Sequence, residues 1–270
     1  MSALQAIEFR PPSPEQATHY PFTIPAVMAL RATRLVLATP VTLLVGENGS
    51  GKSTLMEALA LAIGSITVGS REVERDQTLM HVRPLAERLK LIWQRKTKRG
   101  LFLRAEDFFG YAQRMQQMRE EFEAKIRRLD ADESLSRTAR GLAKMPHQRE
   151  LSAIKQRYGA GLDAVSHGES FLRLFQTRFV PDGVYLLDEP EAPLSPMRQL
   201  ALLSLIKQGV EEMNCQFIIA THSPIVMAAP HATIYAVNEH GLQQVAFEDT
   251  EHVRLTRDFL NNPQQFLQHL

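Results

Sequence analysis

The run Gly46-Glu47-Asn48-Gly49-Ser50-Gly51-Lys52-Ser53-Thr54 has the residue types and spacing of a loop that wraps a phosphate chain. Glycines at 46, 49 and 51 let backbone N–H groups turn inward, and a helix that starts at once aims its positive end at the bound anion. Lys52 then reaches the β- and γ-phosphates, and the Ser53 hydroxyl suits a divalent cation bridging phosphate oxygens. The flanks fit this reading. Val41-Thr42-Leu43-Leu44-Val45 is an apolar strand before the loop, and Leu55 to Ala60 continues as helix.

Two more apolar strands end in reactive groups. Val184-Tyr185-Leu186-Leu187 runs into Asp188-Glu189-Pro190, where a parallel sheet presents its carboxyl edge to ligand. Asp188 is placed to hold Mg²⁺ through water, and Glu189 to accept a proton from the attacking water or to orient it. Phe217-Ile218-Ile219-Ala220 leads into Thr221-His222-Ser223-Pro224, which makes His222 the candidate γ-phosphate sensor. Ser166-His167-Gly168-Glu169-Ser170 opens the amphipathic stretch Phe171 to Phe175; alone it reads as a helix cap with a glycine.

Those strands and loops need a sheet to align them. A chain of 270 residues suffices for one α/β core with an insertion, here read as a single domain over 1–270. Residues 1–40, interrupted by Pro11, Pro12, Pro14, Pro21, Pro25 and Pro40, read as an antiparallel β flank, with Phe22-Thr23-Ile24 one of its strand pieces. Residues 41–70 and 165–245 form the nucleotide core, 112–157 a helical insertion and 250–270 C-terminal helices. Leu89 to Arg95 and Leu101 to Arg104 read as a hairpin with Lys96-Thr97-Lys98-Arg99-Gly100 at its basic tip.

A net charge of +1 gives no global basic field for wrapping nucleic acid, though Arg95, Lys96, Lys98 and Arg99 form a local basic spot. One cysteine, Cys215, excludes an internal disulfide and fits a reducing cytoplasm. No run approaches the ~18 to 20 apolar residues of a membrane span, and the N-terminus lacks a secretory apolar region.

Taken in order, Gly46 to Thr54, Ser166 to Ser170, Leu186 to Glu189 and Thr221 to Pro224 resemble the ABC-type ATPases: Walker A, signature, Walker B with catalytic glutamate, and switch histidine. The string Asp188 to Pro196 looks like the stand-alone AAA/ABC-like ATPases, neighbours of the SMC, RecF and OLD-type proteins. The resemblance implies a P-loop NTPase fold and hydrolysis of ATP with Mg²⁺, in two sites across a head-to-tail homodimer. Ser166, Gly168 and Glu169 of one copy would contact the γ-phosphate held by Lys52 of the other, with Asp188 to Pro196 as the loop crossing the seam. The match departs from transporter subunits in its signature, Ser-His-Gly-Glu-Ser where those have Ser-Gly-Gly-Gln. No glutamine stands clearly in the Q-loop: Gln94 lies within a strand, and Glu106, which follows one, is the candidate third cation ligand. Tyr20 and Phe22 are the candidate adenine-stacking aromatics. The alternatives are an ATP-binding subunit of an ABC transporter, a nucleic-acid-associated repair or defence ATPase, and a nucleotide switch that does not hydrolyse. The resemblance leaves the protein or nucleic-acid client unnamed.

Overall fold

Three strands are apolar without alternation because both of their faces are covered. In β3 (Val41–Val45), β6 (Val184–Asp188) and β7 (Gln216–Ala220) every residue is buried. With β5 (Gly100–Arg104), β8 (Ala232–Asn238) and β9 (Gly241–Val245) they form a six-stranded sheet in the order β5-β6-β7-β3-β8-β9. All pairs are parallel except β8 with the edge strand β9. Register pairs Arg104 with Asp188, Asp188 with Ala220, and Ala220 with Leu44, so these strand ends form one row at the carboxyl edge.

A second, antiparallel sheet has the order β2-β1-β4, from Leu35–Val36, Leu4–Phe9 and Leu89–Trp93. Helix α2 (Lys52–Ile63) packs in the core shared by the two sheets. Its Leu55, Met56, Ala58, Leu59, Ala60 and Ile63 are all buried, which explains why it is apolar almost all round rather than on one stripe. Gln216 ties the sheets together: its amide accepts from Leu4 N at 2.9 Å and donates to Leu4 O at 2.8 Å. A buried amide that satisfies both its ends avoids the desolvation cost of an unpaired one.

The structure is a computed structural model and describes residues 2–65, 77–158, 167–238 and 241–268. It divides into two units, residues 1–105 with 179–270, and residues 106–178. The second unit carries most of helix α4 (Ala105–Ala131), then α5 (Arg137–Tyr158) and α6 (His167–Thr177). Helices α4 and α5 join through a Lys144–Asp130 ion pair and a Phe122–His147 ring contact. The first unit also holds α1 (Pro25–Ala32), α3 (Arg83–Ala86), α7 (Pro196–Met213), α8 (Pro224–Met227), α9 (Glu251–Asn261) and α10 (Pro263–Leu267).

Two local expectations are corrected. Residues 89–104 are no hairpin, because β4 pairs with β1 in one sheet and β5 with β6 in the other. Gly100 is a close crossing instead: at φ +114° its Cβ would stand 1.8 Å from Val184 O. Phe22 to Ile24 are not a strand, since Ile24 caps α1 and Pro25 occupies its first turn, where a missing N–H costs nothing.

Candidate active site

The phosphate loop takes its shape from its glycines. Gly46, Gly49 and Gly51 have φ of +149°, +81° and +88°. A Cβ at Gly46 would meet Val237 O at 2.4 Å and one at Gly51 would meet Ile24 Cδ1 at 2.7 Å, whereas Gly49 has open space around it. Glu47 and Asn48 stand exposed at the tip, and Ser50 is buried. Lys52, buried at the first position of α2, folds back over the loop and donates to Gly46 O (2.8 Å), Glu47 O (2.9 Å) and Ser50 Oγ (3.2 Å). Burial lowers its pKa, while Glu189, Asp188 and Glu191 act the other way.

Across the edge, Ser53 Oγ donates to Asp188 Oδ1 at 3.1 Å, joining residues 135 apart in sequence. Burial pushes the Asp188 carboxyl up to about 7; Glu189 and Glu57 add to this, and the Ser53 hydrogen bond and Arg104 oppose it. Glu189 turns away from the strand at φ 48°, held by its N–H to Ala220 O at 2.9 Å. Its Oε1 lies 3.6 Å from His222 Nε2. His222 has a lowered pKa, chiefly from burial and then from Lys52, so the neutral imidazole is favoured. Thus Lys52, Ser53, Asp188, Glu189 and His222 gather at one edge in the first unit.

The other expected residues stand elsewhere or are partly undescribed. Ser166 lies outside the described residues, as does the side chain of Glu106, the second residue of α4. Gly168 and Glu169 are in the first turn of α6 in the second unit, where Glu169 pairs with Arg173 at 2.8 Å. Gln94 follows β4 in the antiparallel sheet, with its N–H on Ala3 O. Phe22 is 2% exposed and packs against Phe9, which leaves its ring to the core. Tyr20 is half exposed, stacks on His81 and reaches Thr54 Oγ1 at 3.5 Å.

Several contributors were not foreseen. Glu191 Oε1 accepts from Thr221 Oγ1 (2.7 Å), His222 N (2.7 Å) and Ser223 N (3.2 Å), fixing the loop after β7. Its only sequence signal is its place two residues after the carboxylate pair. Arg104 and Glu57 form a buried ion pair at 2.8 Å, and His81 meets the other Glu57 oxygen at 3.1 Å. An arginine closing an apolar strand beside Asp188 was the available signal. His222 Nδ1 lies 3.1 Å from His252 Nε2 on α9, for which no local pattern exists. A cleft of about 650 Å³ runs between loop residues 46–50 and residues 249–252.

An AAA domain family matches residues 23–99. The thiamine import ATP-binding protein ThiQ of Chelativorans sp. (strain BNC1) is 28% identical over 75% of this chain and 74% of its own length. The energy-coupling factor transporter ATP-binding protein EcfA1 of Levilactobacillus brevis is 27% identical over 66% of this chain, which spans 58% of that relative. Among solved structures, cbiO1 from Clostridium perfringens, part of the ABC transporter complex cbiONQ, matches over 100% of both chains at 16% identity and a TM-score of 0.49. The family model and both relatives support an ABC-type ATPase, and the parallel sheet with its phosphate loop after β3 has the P-loop NTPase arrangement. Among the described residues no helix is long and apolar enough to cross a membrane.

Proposed function

We propose that this chain binds ATP with Mg²⁺ and hydrolyses it, in a reducing cytoplasmic setting, with each site completed by a second copy. The observation that carries this reading is the Ser53–Asp188 hydrogen bond, which sets a hydroxyl and a carboxylate beside the phosphate loop, with Glu189 and His222 at the adjoining strand ends. Hard oxygen donors of this kind fit Mg²⁺, and Ser53 and Asp188 would hold it. When bound, the cation neutralises charge developing on the phosphates.

The protein's own groups do the rest. Lys52 exchanges the carbonyls of Gly46 and Glu47 for phosphate oxygens, and backbone N–H groups of residues 47–54 cradle the anion. Glu189, half exposed and projecting from a left-handed turn, takes the proton of the attacking water or orients it. His222 contacts the γ-phosphate from the adjoining strand end, after β7. The segment 188–196 and the residues Ser166, Gly168 and Glu169 serve the partner copy's site, in line with the superfamily resemblance.

Steady-state phosphate release tests the assignments. Lys52→Ala and Glu189→Gln should each fall at least about a hundredfold below wild type, as removal of a charge-stabilising or proton-accepting group does. Equal rates in all three proteins would refute the roles. Solution mass of Glu189→Gln with ATP tests the composite site, since a variant that binds ATP yet stays monomeric removes the dimer.

A second reading, an ATP-binding subunit serving a membrane partner, is favoured by the names of the two relatives. The signature Ser-His-Gly-Glu-Ser weighs against it. For a nucleic-acid client the basic segment offers less free charge than its composition suggests, because Arg95 pairs with Asp182 at 2.7 Å.

A further inference from the structure

Helix α9 brings a second imidazole against the one at the end of β7. His222 Nδ1 and His252 Nε2 are 3.1 Å apart, a hydrogen bond only when one nitrogen carries the proton and the other does not. Either direction satisfies that contact, so the far nitrogen of His222 decides between them. His222 Nε2 is buried, has no hydrogen-bond partner among the described residues, and faces Glu189 Oε1 at 3.6 Å. A carboxylate attracts an N–H placed there and repels a lone pair. The proton of a neutral His222 therefore belongs on Nε2, and Nδ1 must accept from His252.

We propose that His252 is a positioning residue: by donating from its Nε2 to His222 Nδ1 it holds His222 in the tautomer whose Nε2 is a hydrogen-bond donor. The proposal rests on the reading of His222 as the group that contacts the γ-phosphate, because a donor nitrogen binds a phosphate oxygen and an acceptor nitrogen repels it. The charged groups acting on His222 are Lys52 and Glu189, with His252 beside it, and burial together with Lys52 keeps the ring neutral. His252 stands in the first turn of α9.

The placement of His252 is itself secured. Val253 is buried, Thr250 Oγ1 donates to Phe247 O at 2.8 Å, and Arg257 pairs with Glu248 at 2.7 Å across the turn that starts the helix. The second imidazole therefore does for His222 what an outer-shell carbonyl or carboxylate does for a metal-bound histidine, fixing ring orientation and tautomer together.

Nitrogen-15 shifts of the His222 ring test this without a variant, and wild-type protein should show the proton on Nε2. His252→Phe, which keeps a ring but loses the donor, should give a mixture of tautomers and lower kcat for ATP about tenfold, in the range seen for lost outer-shell partners, with KM within twofold. His252→Gln, whose amide N–H can take the place of the imidazole donor, should restore both. An Nδ1 proton in wild type, or His252→Phe with unchanged tautomer and kcat, would overturn the proposal. His222→Ala separates it from the functional reading: wild-type turnover in that variant removes the role of His222, while the shifts still judge the histidine pair.

Discussion

Glu191→Ala should loosen the loop that holds His222, and the size of the effect follows from three contacts. One carboxylate oxygen accepts from Thr221 Oγ1 and His222 N at 2.7 Å each and from Ser223 N at 3.2 Å. Hydrogen bonds to a charged group contribute about 1.5–3 kcal/mol each, and the longest counts least, so the three sum to roughly 4–6 kcal/mol. Against this stands Oε2, buried without a hydrogen-bond partner among the described residues, whose removal from the interior returns about 1–2 kcal/mol. The net loss is about 2–5 kcal/mol, a fall of roughly 1–2 M in the urea midpoint for a slope near 3 kcal/mol/M. Glu191→Gln keeps an acceptor at Oε1 but loses the charge, so it should cost about 1–2 kcal/mol. The rates should separate the two variants more sharply. Displacing His222 by an ångström costs on the order of a hundredfold, so Ala should lose about 10- to 100-fold in kcat, and Gln no more than about threefold. An Ala variant with wild-type midpoint and rate, or a Gln variant as slow as Ala, would refute the anchoring role.

The buried ion pair predicts a non-additive series. Arg104→Leu, which strands Glu57 in the core with only His81 beside it among the described residues, should cost roughly 3–5 kcal/mol by urea unfolding. Replacing Arg104 and Glu57 together with Leu should recover at least half of that. The glycines of the loop should differ as their surroundings do. Gly49→Ala meets no atom within 4 Å and should cost only about 1–2 kcal/mol for its left-handed backbone, whereas Gly46→Ala must also displace Val237 O and should abolish nucleotide binding in a fluorescent-ATP titration. Asp188 gives a pH dependence. Its carboxyl is pushed up to about 7, so a cation that needs the carboxylate must expel a proton below that pH; Mn²⁺ affinity by calorimetry should rise about tenfold per pH unit up to about 7 and then level. Folding without a cation has the opposite sign: a raised pKa contributes stability present below the ordinary carboxylate range and lost as pH rises through about 7.

Much of the candidate site's geometry was legible because each candidate group follows an apolar strand. Val41–Val45, Val184–Asp188 and Gln216–Ala220 are buried on both faces, so their composition alone marks them, and a parallel sheet aligns their carboxyl ends. What escaped depends on partners far apart in sequence. The strands Leu89–Trp93 and Gly100–Arg104 have the period and spacing of a hairpin, and only the competing edges of β1 and β6 draw them into different sheets. Arg104 with Glu57, Gln216 with Leu4 and His222 with His252 are side-chain contacts without periodicity. Ile24 had β-branched character, yet the proline after it made it a helix cap.

The charge arrangement makes the carboxyl edge a place where protonation and nucleotide binding are linked. Glu57, Asp188, Glu189 and Glu191 face two full cations, Lys52 and Arg104, so with all four carboxylates ionised the set would carry a formal charge of −2. Burial first, with the neighbouring carboxylates adding to it, makes Asp188 hold its proton up to about 7, and Lys52 turns its ammonium into the loop carbonyls. An arriving triphosphate adds further negative charge and takes Lys52 from those carbonyls, which leaves the carboxylates still less compensated. On the proposed function, positive charge enters with the nucleotide, and Ser53 with Asp188 would offer the oxygen pair at which a divalent cation replaces the proton. The low polarity that raises the Asp188 pKa also strengthens every attraction made once the cation is in place, so one buried carboxylate weakens binding in acid and strengthens it near neutrality.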